Sequence, residues 1–238
     1  MNKSSKKTLV LAWNVWSILN ESKLQNFLQI VNVMNIDVAC ICETWFDSKN
    51  GVFSRMIKEN KFGLHHAHRV NQRGGGVAII YKEHLALKEG EASTAQFTSF
   101  EYAYVTLTLQ SKLKVLLVCV YRKQEVAFSL FYDEFSSFTE KLVFKGDAVM
   151  FVGDFNVWFG VEDDVMAGQL MTLMNSYGLS QQVTEPTHRH GNILDHIYLN
   201  EFQFDLNHQV ICDTLGLTTD HYPLLIKLPS STKQHKQN

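Results

Sequence analysis

Three prolines in 238 residues, and no stretch rich in proline, glycine and serine, leave this chain without a point at which to divide. One large domain with a substantial core is therefore expected, from residue 8 to 229, between basic tails at 1–7 and 230–238. Lys3, Lys6 and Lys7 open the first tail, and Lys233 and Lys236 lie in the second. No sign of charge dominates: 22 basic and 24 acidic side chains give a net charge of −2, so no global positive field advertises a polyanionic partner. A small basic groove helped by metal ions stays open to such a chain. Cysteine is scarce as well. Cys40, Cys42, Cys119 and Cys212 lack the paired spacing of a tetrahedral zinc site and read as buried, reduced thiols of an intracellular protein. Long apolar runs are missing: Leu9 to Trp13 breaks at Asn14, too short to span a bilayer and poor as a secretory signal, so no membrane segment is expected. The glycines of Arg73-Gly74-Gly75-Gly76 lack the lysine-hydroxyl pair of a nucleotide loop and read as a turn.

What is present alternates between strand and helix. Thr8 to Trp13 predicts a strand ending at Asn14, and Val38 to Cys42 another ending at Glu43. Between them Leu24, Phe27, Leu28, Val31 and Met34 recur at helical spacing. Phe131, Phe135, Phe138 and Leu142 do the same over 129–144, and Leu170, Leu173 and Met174 over 165–177, with Gly178 placed to stop the helix. Residues 102–109 and 115–121 predict an antiparallel pair turned at Ser111-Lys112, and 193–199, 206–212 and 224–228 predict later strands. The segment 83–98 is polar and aperiodic, and is expected to bulge on the surface. Short strand-to-strand connections argue against a purely parallel sheet, so two mixed sheets packed together with helices outside fit best.

The chemistry concentrates at strand ends. In the run from Ala148 to Asn156, an apolar strand over 148–153 gives way to Asp154 and Asn156, which alternation places on one side. A carboxylate and an amide there suit a metal-bound phosphate and the water that attacks it. Glu43 offers oxygen to a hard divalent cation, and Asn14 can orient a ligand or a phosphate oxygen. Tyr121 and Arg122 close a further apolar run, as a phenol donor and a guanidinium able to pair with phosphate or acid. Asp195 interrupts an apolar strand and demands a partner, for which His221 is the best choice. His196 should face the opposite side, His188 and His190 read as surface loop residues, and Asp220-His221 precedes the final strand.

In order, Asn14, Glu43-Thr44-Trp45, Arg73 with its three glycines, Tyr121-Arg122, Gly153-Asp154-Phe155-Asn156, Ile193-Leu194-Asp195 and Asp220-His221 resemble the endonuclease/exonuclease/phosphatase family. The glycine triplet and the Ile-Leu-Asp run resemble the apurinic-like endonuclease domain of non-LTR (LINE-type) retrotransposons. The resemblance covers roughly Thr8 to Leu228. It implies an α/β, four-layered sandwich of two mixed β-sheets flanked by helices, DNase I-like, and metal-dependent hydrolysis of a DNA phosphodiester. On that pattern Glu43 holds Mg²⁺, with Mn²⁺ as a possible substitute, assisted by Asn14 and Asp220. Asp154 orients the attacking water, Asn156 binds phosphate or that water, Asp195 orients His221, and Tyr121 contacts phosphate. Arg122 and Arg73 join the substrate contacts. The product is a nick with a 3′-hydroxyl. The chain is expected to be monomeric, and to be either a fragment or relic of a retroelement, whose larger protein carries reverse transcriptase, or a stand-alone relative, acting in the nucleus if on chromosomal DNA. This chain departs at Lys123-Gln124, where such domains carry proline, and at Thr219, where serine is commoner. A phosphatase or phosphodiesterase for a small phosphate or phospholipid head group, and an inactive binding domain of the same fold, remain alternatives.

Overall fold

The computed structural model describes residues 7–47, 51–70, 72–160, 164–200 and 206–228. The expected tails fall outside these residues, apart from an exposed Lys7. The first half runs β1 (Thr8–Asn14), α1 (Glu21–Val33), β2 (Val38–Cys42), α2 (Gly51–Glu59), β3 (Phe62–Ala67), β4 (Val77–Lys82) and β5 (Leu87–Ser93). It is followed by β6 (Phe100–Thr108), β7 (Lys114–Arg122), α3 (Phe128–Leu142), β8 (Ala148–Phe159) and α4 (Val165–Ser176). Then come β9 (Ser180–Gln181), β10 (Ile193–Leu199), β11 (Asn207–Val210) and β12 (Leu224–Leu228).

Two six-stranded sheets form, ordered β11-β12-β1-β2-β4-β3 and β5-β6-β7-β8-β10-β9. Each has one parallel pair, β1 with β2 and β7 with β8, and antiparallel neighbours. The parallel pairs arise because α1 and α3 carry the chain back to the starting edge. One apolar core lies between the sheets, where Cys40, Cys119, Met150 and Ile226 meet. A second packs the phenylalanines of α3 and the leucines of α4 on Val118, Val120 and Phe151. The third packs Leu24, Phe27 and Val31 of α1 on Leu11, Trp13 and Ile41. Helix, sheet, sheet, helix is the four-layered α/β sandwich expected.

Local signals explain the helix ends. Asn20 caps α1 by accepting from the Lys23 amide, Asp164 caps α4 by accepting from that of Ala167, and Gly178 turns the chain out at φ +71°.

Three expectations need correction. Residues 83–98 do not simply bulge: β5 lies within them as an edge strand on β6, its solvent-facing lysine and glutamates erasing any apolar alternation. The strand from Ala148 does not end at Gly153 but continues through Asp154 and Asn156 to Phe159, because β10 pairs along it beyond the last β7 contact. Cys212 is exposed, while Cys40, Cys42 and Cys119 are buried thiols.

Candidate active site

The two parallel pairs end at the same edge of the sandwich. β1 brings Asn14 there, β2 leads to Glu43, β7 ends on Tyr121 and β8 passes Asp154. The antiparallel β10 and β12 start where their neighbours finish, so Asp195 pairs in register with Asp154, and Asp220 and His221 precede β12. Gly153 makes the crossing possible. At φ +136°, a Cβ there would sit 2.0 Å from the Val120 carbonyl oxygen.

Asn14 stitches the sheets together. Its Nδ2 donates to Glu43 Oε1 at 3.0 Å and to Asp154 Oδ2 at 2.8 Å. With one nitrogen shared, the two carboxylates lie within about 6 Å of each other, hydrogen-bond geometry permitting no more. Trp45 Nε1 holds the other Glu43 oxygen at 3.2 Å. The Asn156 amide nitrogen of the backbone donates to Asp154 Oδ1 at 3.0 Å, while Asn156 Nδ2 is engaged by the Arg122 carbonyl at 2.8 Å. Asn156 therefore fixes Asp154.

His221 and Asp195 meet as anticipated, Nδ1 to Oδ2 at 2.8 Å, with both side chains buried. His221 Nε2 lies 3.9 Å from Asp154 Oδ2 and 4.0 Å from Asp220 Oδ1. Thr219 Oγ accepts the His221 amide and donates to the Asn14 carbonyl, so threonine does here what the commoner serine hydroxyl could do. Burial opposes a charged His221 ring, but Asp195, Asp154 and Asp220 outweigh it and push the group up to about 10. Asp154 is pushed up to about 7, first by burial and then by Asp195, against the pull of His221 and Asn14. Burial, with Glu43 and Asp154, raises Tyr121 and keeps it a phenol. Burial works against Asp220 as well, but His221 and His188 hold it below its usual range.

A cavity of about 370 Å³ opens onto these groups, lined among others by Asn14, Glu43, Tyr121, Asp154, Asp220 and His221. Asn156 also borders it, whereas Asp195 sits behind His221.

The arginines depart from expectation. Arg122 is neither in solvent nor in the cavity: it is buried, its Nη1 and Nη2 donate to the carbonyls of Asn156 and Val126, and its guanidinium lies over the rings of Phe128 and Phe131. It braces the strand ends. Arg73 is exposed and stacks 5.0 Å over the Trp45 ring, one step removed from Glu43 and outside the cavity lining.

Other residues escaped the sequence reading. His188 is not a plain surface residue: its Nε2 lies 3.3 Å from Asp220 Oδ2, its ring packs at 5.0 Å on His221, and an isolated bridge ties the two residues. Glu101, fully buried, pairs with Arg69 and accepts the Gly76 amide at 2.5 Å. The glycine turn in turn accepts the amides of Thr44 and Trp45, the residues that follow Glu43. The turn reading of the glycines holds, and Glu101 anchors it. No local pattern marks Glu101, because an acid on an apolar strand announces need of a partner but not which one.

Glu43, Asp154, Asp195 and Asp220 set four carboxylates against the imidazoles of His188 and His221, and ligand atoms of Asp154, Asp195 and His221 lie within 4.8 Å of one another. Hard oxygen donors and surplus negative charge at one cavity fit a divalent cation.

An acid-lined cleft at the shared edge of a two-sheet sandwich defines a hydrolase of nuclease or phosphatase type. The sequence profile of the Endonuclease/Exonuclease/phosphatase family matches residues 11–221, and the chain belongs to that family. Its fold is similar to the endonuclease domain of TRAS1, a telomere-specific non-LTR retrotransposon, at 16% identity and TM-score 0.69, covering 94% of this chain and 98% of that one. It is similar too to the 3′ phosphatase NExo from Neisseria, bound to a product DNA hairpin, at 15% identity and TM-score 0.70, with 93% and 99% covered. The human Nocturnin catalytic domain aligns at 14% identity and TM-score 0.64, with 93% and 92% covered. A comparison with curated protein sequences gives no match.

Proposed function

We propose that the protein is a divalent-metal-dependent DNA endonuclease that cuts one strand and leaves a 3′-hydroxyl, as in target-site nicking by a retroelement. The observation that carries this reading is the convergence of Glu43, Asn14, Asp154 and the Asp195–His221 pair on one open cavity. The likeness to the TRAS1 endonuclease domain and to a phosphatase bound to DNA supports it. Glu43, assisted by Asn14 and Asp220, would hold Mg²⁺ or Mn²⁺. When bound, that ion supplies charge neutralisation to the phosphoryl oxygens.

The chain's own groups supply the rest. Asp154, as the carboxylate of a group raised to about 7, takes the proton of the attacking water as an oxygen–phosphorus bond forms. The bond from phosphorus to the 3′ oxygen breaks, leaving a 5′-phosphate and a 3′ oxygen that is protonated by solvent. His221, charged and aimed by Asp195, donates from Nε2 to a phosphoryl oxygen as negative charge builds there. The Tyr121 phenol donates to the same group. Arg122 and Arg73 keep the scaffold roles their contacts describe.

Supercoiled plasmid incubated with Mg²⁺ or Mn²⁺ should relax to the nicked form, stop nicking in chelator, and present ends that a polymerase extends. Asp154→Ala and His221→Ala should abolish nicking while retaining the wild-type circular dichroism spectrum. Folded wild-type protein that leaves every DNA form intact but turns over small phosphate esters would replace this reading with a phosphatase.

A further inference from the structure

Of the four tryptophans, Trp13 is buried on β1 against α1, yet Trp16 and Trp158 stand 46% and 49% exposed. Both line the same cavity as Asp154 and His221, one contributed from each sheet. Trp16 follows β1 with its backbone in the left-handed region at φ +42°. Its amide donates to Asn14 Oδ1 at 3.1 Å, and Lys23 Nζ gathers the carbonyls of Val15, Trp16 and Thr218 at 2.8 Å each. The backbone that carries this exposed indole is thus tied to the site itself. Trp158 lies two residues beyond Asn156 on β8, on the face that alternation directs the same way. The rings of His188 and His190, centroids 5.0 Å apart, extend the aromatic surface outward from His221.

The charge around these rings points to the ligand. Continuous duplex DNA is held chiefly by lysine and arginine on its phosphates. Among the described residues that line the cavity, none is a lysine or an arginine. Flat exposed rings bind a base through its face, and a base offers its face only when it is out of the stack.

We propose that Trp16 and Trp158 form a stacking clamp for unpaired nucleobases flanking the scissile phosphate, so that single-stranded or locally unpaired DNA is the preferred substrate. This rests on the endonuclease reading of the site. The clamp selects the substrate by its loss of stacking, while Asp154 and His221 act on whichever phosphate the stacked bases present.

The test measures binding of the full chain, with Ca²⁺ present, to a fluorescein-labelled duplex and to the same duplex carrying a central run of unpaired thymidines. Wild type should bind the looped DNA more tightly by on the order of 10-fold, the size of one stacking contact. Trp16→Ala and Trp158→Ala should each lose about 10-fold on the looped DNA, and Trp16→Phe and Trp158→Phe should keep most of the affinity. Equal affinity for both DNAs overturns the clamp. So do alanine variants with native thermal unfolding that bind as wild type, or phenylalanine variants as impaired as the alanine ones. Plasmid nicking indifferent to both tryptophans also overturns it and leaves the hydrolase reading standing. Tryptophan-dependent binding without any cleavage upholds the clamp and sinks the endonuclease.

Discussion

One sheet delivers Asn14, Glu43, Asp220 and His221 to the cleft, and the other delivers Tyr121, Asp154, Asn156 and Asp195. Their acids live in different surroundings. Asp154 and Asp195 are buried, each held by directed hydrogen bonds, whereas Glu43 and Asp220 remain partly exposed. Burial raises the cost of charge and makes protonation state responsive to neighbours, which suits proton transfer and imidazole alignment. Exposure keeps carboxylate oxygens available to a hydrated cation and its substrate. On the proposed mechanism the carboxylates of the two sheets therefore divide the work, one set for proton transfer and alignment and the other for the cation.

The strongest break between the halves comes from removing their central acids one at a time. Asp154→Asn should lower kcat by on the order of 10³-fold at every metal concentration, since an amide cannot accept the proton that the proposed mechanism passes to Asp154. Glu43→Gln should fall less far and recover part of its rate as Mg²⁺ is raised, which a metal titration of the nicking rate would reveal. Equal, unrecoverable losses would erase the distinction between the sheets.

The reverse face of β10 sharpens it. His196 is buried there against Phe155, with one ring nitrogen near the Val157 carbonyl and the other near the Tyr198 hydroxyl. Burial lowers it to about 4. The unfolded chain takes this proton below about 6.5 while the folded one stays neutral to about 4, so stability falls as pH drops between those values and levels off beneath. The loss amounts to about 3 kcal/mol. Denaturant midpoints followed with pH should show that slope in wild type and lose that part of it in His196→Gln.

Next is the alignment pair. Asp195→Asn should cost about 10²-fold in kcat/KM. It should also bring the alkaline limb of the pH–rate profile to lower pH, because the carboxylate that raises His221 most has gone. A reduced rate with an unmoved limb would make Asp195 scaffold only. Least of the four, Asp220→Asn should cost about 10-fold or less, its carboxylate being partly solvated and shared with His188.

Much of this division could be read from the chain beforehand. Asp195 on an apolar strand demanded a partner, and His221 stood at a strand start able to meet it. The phenylalanines at 131, 135 and 138 disclosed α3 because one face of a helix repeats every three or four residues. β5 was hidden since an edge strand with Lys88, Glu89 and Glu91 carries the composition of a loop. Arg122, Glu101 and His188 were misjudged or missed for a different reason. Their partners, the Asn156 carbonyl, Arg69 and Asp220, lie more than 30 residues away and are chosen by how the sheets dock, which no local spacing records.

β1 pairs along its length with β12, Thr8 opposite Leu228, so the first and last described strands are zipped side by side. Asp220 and His221 arrive only with that final strand. Folding of β1 through β10 can bring the buried acids together, yet the imidazole takes its place only once β12 docks along β1.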